Sequence, residues 1–483
     1  MSTHSPPSFT GSDLSRLQAY EAVDLLKRKE VSPQELLEVS FERIKAVSPA
    51  INATPTTCPR RAFDAADHLT DFPSDHPGYL AGLPIGIKDL TPVAGVRTTF
   101  GTKALSDNIP PASDPMVTRL EARGALVVGK TNTPEFGAGG NTFNDVFGPT
   151  RNPWDTTLNA GGSSGGAAAS LAVGETWLSH GSDHAGSLRT PASFCGIVGL
   201  RPSFGRVASG SRDNAFMGEG AQGPMARSVR DCALFLDAMA GYDARYPLSF
   251  PAPDCSFQDA VIRADGKPRI AYTADLDGFA PIDTEIAEHF HRVLHLMEKQ
   301  GSVIEQICPD VSQLDATYRT IRGTMWATMA RTIKPEVRAH FKQTLEDNFA
   351  SGEALTMTDV VFAHSHRSAL YGNMLSIFET FDVLACPTVG CLPHAQSEEW
   401  VATIGGQQLQ DYLHWLRFSF LATVTGLPAI SIPVGHGPSG LPIGLQLIGK
   451  PRSEAALLAA ARAVELAMGG PQGPIDPNIT HLS

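Results

Sequence analysis

Five short apolar runs recur along the chain: LPIGIKD (83–89), ALVVGK (125–130), DVLACPTV (382–389), AISIPVG (429–435) and PIGLQLIG (442–449). Each is broken or bounded by Gly or Pro, and each is too short for a stable helix. A strand wetted on one face alternates apolar and polar residues, whereas a strand covered on both faces reads as continuous Val, Ile and Leu. These runs match the second pattern, so the sheet they build needs helices on both faces. Helical patterns do alternate with them, and the fold class expected is α/β. The segment SEAALLAAARAVELAM (453–468) reads as a closing helix, with Ser453 as its N-cap and Gly469-Gly470 as its stop.

The rest of the chain divides by texture. Residues 11–48 read as helical. Ser32-Pro33-Gln34-Glu35 supplies an N-cap, a first-turn Pro and a capping Glu, and Leu36, Leu37, Phe41 and Ile44 fall on one face. Residues 1–80 are thus expected as a helical segment packed on the core, with the α/β domain over 80–483. Residues 282–380 are mostly helical in pattern and are expected as a layer or insertion against the sheet. The 483 residues exceed the size at which one compact core usually stops growing. However, no linker or repeat interrupts them, and one continuous α/β domain is expected in preference to two.

Charge and cysteine usage narrow the partners. The net charge of −12, without a local basic cluster, argues against nucleic acid and anionic membranes. Seven scattered cysteines, odd in number and without a CxxC pair, read as reduced thiols. No apolar stretch approaches the roughly 20 residues of a membrane span. The N-terminus MSTHSPPSFTGSD has neither a charged n-region nor an apolar h-region. A cytoplasmic protein, monomer or homodimer, is the expectation.

The chemistry concentrates in GGSSGGAAASLAVGETWLSHGSDHAGSLRTP (161–191), where two glycine-crowded turns carry Ser163 and Ser187. Gly/Ser runs are often plain loops. A phosphate cradle is disfavoured, because neither G-x-x-x-x-G-K-[ST] nor G-x-G-x-x-G is present. His180 and His184 would converge on a metal only from a helix, which the surrounding glycines disfavour. His291 and His295 have helical spacing but lack an HExxH-type carboxylate. No metal or organic cofactor is expected.

Read together with LPIGIKD, these turns resemble the amidase signature family of serine hydrolases. The resemblance is carried by Gly161-Gly162-Ser163-Ser164-Gly165-Gly166, the small-residue run after it, and Asp183-His184-Ala185-Gly186-Ser187-Leu188-Arg189-Thr190-Pro191. Further matches are PIGIKD (84–89), KTNTPEFG (130–137), GPTRNPWD (148–155), GIVGLRPS (196–203), CPT (386–388), GLPAISIP (426–433) and GLPIGLQLIG (440–449). The matches run in order through most of residues 80–465. The fold implied is a large mixed, mostly parallel sheet covered by helices on both faces.

The resemblance implies a Ser–Ser–Lys triad: Ser187 as nucleophile, Ser163 as a bridging serine held by a cis peptide bond, and Lys88 as base. A serine hydroxyl needs a neighbouring base to become nucleophilic. A lysine serves only when neutral, far from its ordinary pKa of about 10.4, and burial is what lowers that value. The strand-like Ile85-Gly86-Ile87 before Lys88 suits burial; a surface pair with Asp89 is the alternative. By the same resemblance the oxyanion donors are the backbone amides of His184, Ala185, Gly186 and Ser187. Ala185 replaces the first Gly of the commoner Gly-Gly-Ser, which would be strained if its φ were positive. Ser164 is expected to join the hydrogen-bond network or to cap the following helix. Asp183 and Arg189 are expected to brace the nucleophile turn, with the His184 side chain lining a substrate pocket.

The reaction implied is hydrolysis of a carboxamide C–N bond through an acyl-enzyme on Ser187, with aryl or alkyl amides favoured and carbamates (urethanes) as an extension. The pocket is expected from Phe136, Gly137 and Ala138, residues 208–222 and the region 310–420, where Trp400 and Trp415 form an aromatic wall or pack in the core. Arg and Lys read as sparse there, which disfavours a strongly acidic substrate. Two rivals remain: an ammonia-releasing A-type subunit of a tRNA-dependent amidotransferase, and a non-catalytic binding protein on the same scaffold.

Overall fold

The computed structural model describes residues 8–69, 75–208, 215–264 and 266–481. Part of the expected 208–222 pocket wall, residues 209–214, lies outside them. The strands in chain order are β1 (Thr56–Thr57), β2 (Pro84–Lys88), β3 (Leu126–Thr131), β4 (Leu178–Asp183), β5 (Val198–Arg201), β6 (Ala221–Ala226) and β7 (Arg269–Tyr272). They continue with β8 (Val303–Gln306), β9 (Val383–Pro387), β10 (Thr403–Ile404), β11 (Gln407–Gln408), β12 (Ala429–His436) and β13 (Pro442–Gly449). All except the β10–β11 hairpin join one 11-stranded sheet in the order β1-β3-β2-β4-β6-β5-β12-β13-β9-β7-β8. Every one of the five apolar runs is a strand of it. The sheet is mixed. Its parallel pairs, β3-β2-β4 and β9-β7-β8, lie towards the two ends, and antiparallel pairs join them through the middle.

Adjacent residues of one strand feed different cores, as the pleat requires. Ala385, Ile430 and Leu447 pack in one cluster with Leu234 and Leu458, from helices Val229–Met239 and Glu454–Ala467. Their neighbours Leu384, Ala429 and Ile448 pack in another, with Tyr318 and Met374 from helices Leu314–Ala330 and Met357–Phe378. The sheet is therefore buried on both faces, which is why its strands tolerate no regular polar alternation.

The N-terminal region read as helical comprises three helices, Asp13–Arg16, Ala19–Lys27 and Pro33–Ile51. The second and third are separated at Lys29, whose φ is +58°. Ser32 caps the third as expected: Ser32 Oγ accepts from Glu35 N–H at 3.2 Å, and Ser32 N–H donates to Glu35 Oε2 at 2.7 Å. Leu37 and Ile44 then bury against Leu126 and Val128 of β3. Residues 282–380 are mostly helical and include β8, which pairs with β7 at the sheet edge. Ser453 stands at the N-cap of Glu454–Ala467, but its hydroxyl donates to Lys450 O and not to the helix.

Candidate active site

The site forms where parallel strands end. β2 and β4 are parallel neighbours, pairing Ile87 with His180, so Lys88, the last residue of β2, emerges beside the carboxyl end of β4. Open α/β sheets commonly place ligands outside the carboxyl ends of their strands. β4 ends at Asp183, and the turn that follows carries Ser187 into helix Arg189–Cys195. Ser163 precedes helix Gly165–Ala172, and the Gly162–Ser163 peptide bond is cis. The two glycine-crowded turns touch directly: Ser164 N–H donates to Ser187 O at 3.3 Å.

Lys88 is fully buried. Its Nζ donates to Ser163 Oγ at 2.7 Å, Ser164 Oγ at 2.8 Å and Ser182 Oγ at 3.1 Å. The alternative, a surface pair with Asp89, is not made: Asp89 turns instead to the buried Lys130 at 3.4 Å. Burial lowers the Lys88 amine to about 7, with the Asp183 charge working the other way. Ser164 serves the amine and not the helix: its hydroxyl makes no capping bond and donates to Ser182 O at 3.2 Å. This close approach needs Gly181, where a Cβ would lie 2.8 Å from Ser164 Oγ. Ser182 is a partner that the sequence reading missed; only its place in the strand beside Lys88 reveals it.

Asp183 organises the turn that carries Ser187. Its Oδ1 accepts from Gly186 N–H at 3.1 Å and its Oδ2 from Leu188 N–H at 3.0 Å, curling the chain around one carboxylate. Arg189 donates to both oxygens, at 2.8 and 3.0 Å, and Arg201 donates to Asp183 O at 2.6 Å. Burial opposes ionisation of Asp183, but Arg189 and Arg201 outweigh it and hold the carboxyl well below its ordinary range. The Arg189 guanidinium also donates to Gln446 Oε1 of β13 at 2.5 Å.

The expected set of four oxyanion donors needs one correction. The Gly186 N–H is already given to Asp183, while the amides of His184, Ala185 and Ser187 have no acceptor among the described residues. Thr423 Oγ donates to His184 O at 2.6 Å, which turns the N–H of the same trans peptide, that of Ala185, the opposite way. Ala185 itself has no positive φ; that conformation falls on Gly186, at +86°. The alanine is accommodated because the residue after it takes the left-handed geometry.

Ser163 and Ser187 both line a cavity of about 160 Å³, together with Leu90, Phe136, Gly137, His184, Arg322, Met325, Trp326 and Tyr412. At ~10–15 Å³ for each water-sized group, it has room for on the order of ten. Of the expected pocket residues, Phe136 and Gly137 reach it. Ala138 lies behind the wall, packed with Trp326 and Phe349. Trp415 is in the core, stacked on Phe194 at 6.2 Å and filling the space over Gly140. Trp400 packs against the same cluster as Trp415, outside the cavity wall. The His184 ring is in the wall, its Nδ1 3.2 Å from the Tyr318 hydroxyl. Burial, with Arg322 and Arg201 nearby, holds its pKa well below the ordinary value, so the ring is neutral. Arg322 comes from the region read as poor in cations.

No helix among the described residues is long and apolar enough to cross a membrane. His180 lies within β4 with its Nε2 against Gln222, and no group of three metal-binding side chains exists among the described residues.

A sequence model of the amidase family matches residues 35–458. The chain is 34% identical over 479 residues to the A-type subunit of the glutamyl-tRNA(Gln) amidotransferase of Moorella thermoacetica, covering 94% of this chain and 97% of that one. It is 34% identical over 462 residues to an acylamidase of Rhodococcus erythropolis, covering 94% and 96%. Among solved structures it superposes on a bacterial aryl acylamidase with a TM-score of 0.86 at 29% identity, over 94% of this chain and 97% of the other.

Proposed function

The chain belongs to the amidase signature family of amide-hydrolysing enzymes, and from that premise we propose that it cleaves a small carboxamide through an acyl-enzyme on Ser187. Neutral Lys88 takes the proton of Ser163 as Ser163 takes that of Ser187. The freed Ser187 oxygen then bonds to the amide carbon. Charge moves to the carbonyl oxygen, where the amides of His184, Ala185 and Ser187 are available as donors. The C–N bond breaks as Ser163 gives its proton to the departing amine and Lys88 returns its proton to Ser163, leaving the base neutral again. Water reverses the sequence: it gives its proton to the relay, attacks the ester and releases the acid and Ser187.

The observation that carries this reading is the Lys88–Ser163 hydrogen bond around a fully buried amine at about 7. A base is most effective when its pKa lies near the working pH. Ser163 and Ser187 share the cavity wall without a hydrogen bond between them among the described residues, and in enzymes without substrate such links often close only in the complex. Cavity size supports a small amide, aryl or alkyl, or the equivalent carbamate. Acylation tests the assignment: a fluorophosphonate should label Ser187 and no other serine, and labelling elsewhere would sink it.

The amidotransferase relatives support a second reading, ammonia release inside a complex. The isolated chain turning over a simple anilide unaided favours the hydrolase. Activity that requires added partner proteins favours the alternative.

A further inference from the structure

Arg322 lies on helix Leu314–Ala330 with 5% of its surface exposed, in the wall of the cavity that Ser163 and Ser187 also line. Its guanidinium donates to Asn348 Oδ1 at 3.2 Å and to the Tyr412 hydroxyl at 2.6 Å. The rings of Trp326 and Tyr412 stand 5.3 and 5.8 Å from it. All of these partners are neutral, and no carboxylate lies within ion-pair distance among the described residues. The other buried arginines of the site differ: Arg189 and Arg201 both hold Asp183. A buried cation without an anion is costly, because its lost hydration is only partly replaced.

Two more polar atoms of the same wall are buried without a partner: His184 Nε2 and Trp326 Nε1. The indole can only donate. A neutral imidazole can carry its hydrogen on either nitrogen, and an acceptor placed at Nε2 selects the form with the hydrogen there, the Tyr318 hydroxyl then giving its proton to Nδ1. The wall thus offers a cation and two N–H donors, and Asp183, a carboxylate that also lines the cavity, is already held by Arg189 and Arg201.

We propose that Arg322, His184 and Trp326 form a carboxylate subsite, and that the substrate is a short amide carrying an anionic carboxylate near its scissile carbonyl. The inference rests on the hydrolase reading of the site and deepens it. A carboxylate supplies the missing charge, and its two oxygens can accept from several donors at once. The small cavity limits the acid to a few carbons from the reacting centre. The reaction itself is unchanged; the second carboxylate remains intact in the product.

The test compares N-(4-nitrophenyl)succinamic acid with its uncharged analogue N-(4-nitrophenyl)butanamide, and 4-acetamidobenzoate with acetanilide to place the acid on the acyl or the amine side. One acid should exceed its neutral partner at least tenfold in kcat/KM. Arg322→Gln should erase that ratio, and Trp326→Phe, which keeps an aromatic ring but loses the N–H, should reduce it several-fold. Acid and neutral substrates within threefold of each other in the unmodified protein would overturn the proposal, whether or not Arg322→Gln folds. A calorimetric titration of Ser187→Ala protein with the same compounds separates the two readings. Selective binding of an acid without turnover in the unmodified protein keeps the subsite and rejects the hydrolase. Turnover without acid preference does the reverse.

Discussion

Lys88 Nζ lies 2.7 Å from Ser163 Oγ, while Asp89 and Asp183, its neighbours in sequence and in charge, are each bound to other cations. The amine is surrounded by hydroxyls and is spared the ion pair that would keep it protonated. Burial brings it to about 7. Since the base must be uncharged, kcat/KM should rise with pH through one ionisation near 7 and level off above it. Lys88→Met should lower kcat by about 10²–10⁴. A flat profile between pH 5 and 9 would contradict the assignment.

Ser163 and Ser187 should separate by the step they affect. Ser187→Ala removes the atom that is acylated, so turnover should fall by roughly 10³-fold or more and fluorophosphonate labelling should vanish. Ser163→Ala leaves the nucleophile but breaks the relay. Its kcat should fall by about 10²–10⁴, with slow stoichiometric labelling of Ser187 still visible by intact-mass spectrometry.

Gly186→Ala probes the turn itself. At a φ of +86° an added Cβ would meet Ser419 Cβ at 2.9 Å. The left-handed conformation adds ~1–2 kcal/mol for a non-glycine residue. Turnover should drop by at least tenfold with little change in KM. Ala185→Gly, at a position free of positive φ, should stay within a few-fold of the parent protein.

Asp183→Asn tests the brace. It leaves Arg189 and Arg201 buried without their anion, at a cost of ~3–5 kcal/mol. Both the urea midpoint and the activity should fall. Activity lost with the midpoint unchanged would mean that Asp183 acts on the chemistry and not through the turn.

Glu175 gives a stability prediction away from the site. It is fully buried with Thr54 Oγ donating to it at 2.6 Å, and burial raises its carboxyl to about 7, against the opposing effects of Thr54 and Arg43. Between its unfolded value of about 4.3 and about 7, the folded chain holds a proton that the unfolded chain has lost. Stability is therefore full below that window and declines as pH rises through it, by on the order of 3 kcal/mol. Glu175→Gln should remove this decline, so the variant gains on the parent protein in urea midpoint from pH 5 to pH 8.

What could be read from the chain was local. The apolar runs marked their strands because burial on both faces leaves no polar alternation to mislead. Lys88, Ser163 and Ser187 could be named because ordered motifs carry them. Ser182 and Arg322 could not, since each matters through a partner far along the chain, Lys88 and Tyr412. Trp415 and Trp400 looked like pocket aromatics because composition does not say which side of a wall a ring faces.

The Arg189–Gln446 bond carries a consequence for biogenesis. Every atom of the proposed proton relay lies before residue 190, yet the arginine that steadies the reactive turn finds its amide acceptor only in β13, near the end of the chain. A ribosome-bound polypeptide stopped short of that strand would own all its reactive groups and still lack the clamp that sets them. Competence for acylation should thus arrive late in synthesis, as a single event when the C-terminal hairpin docks.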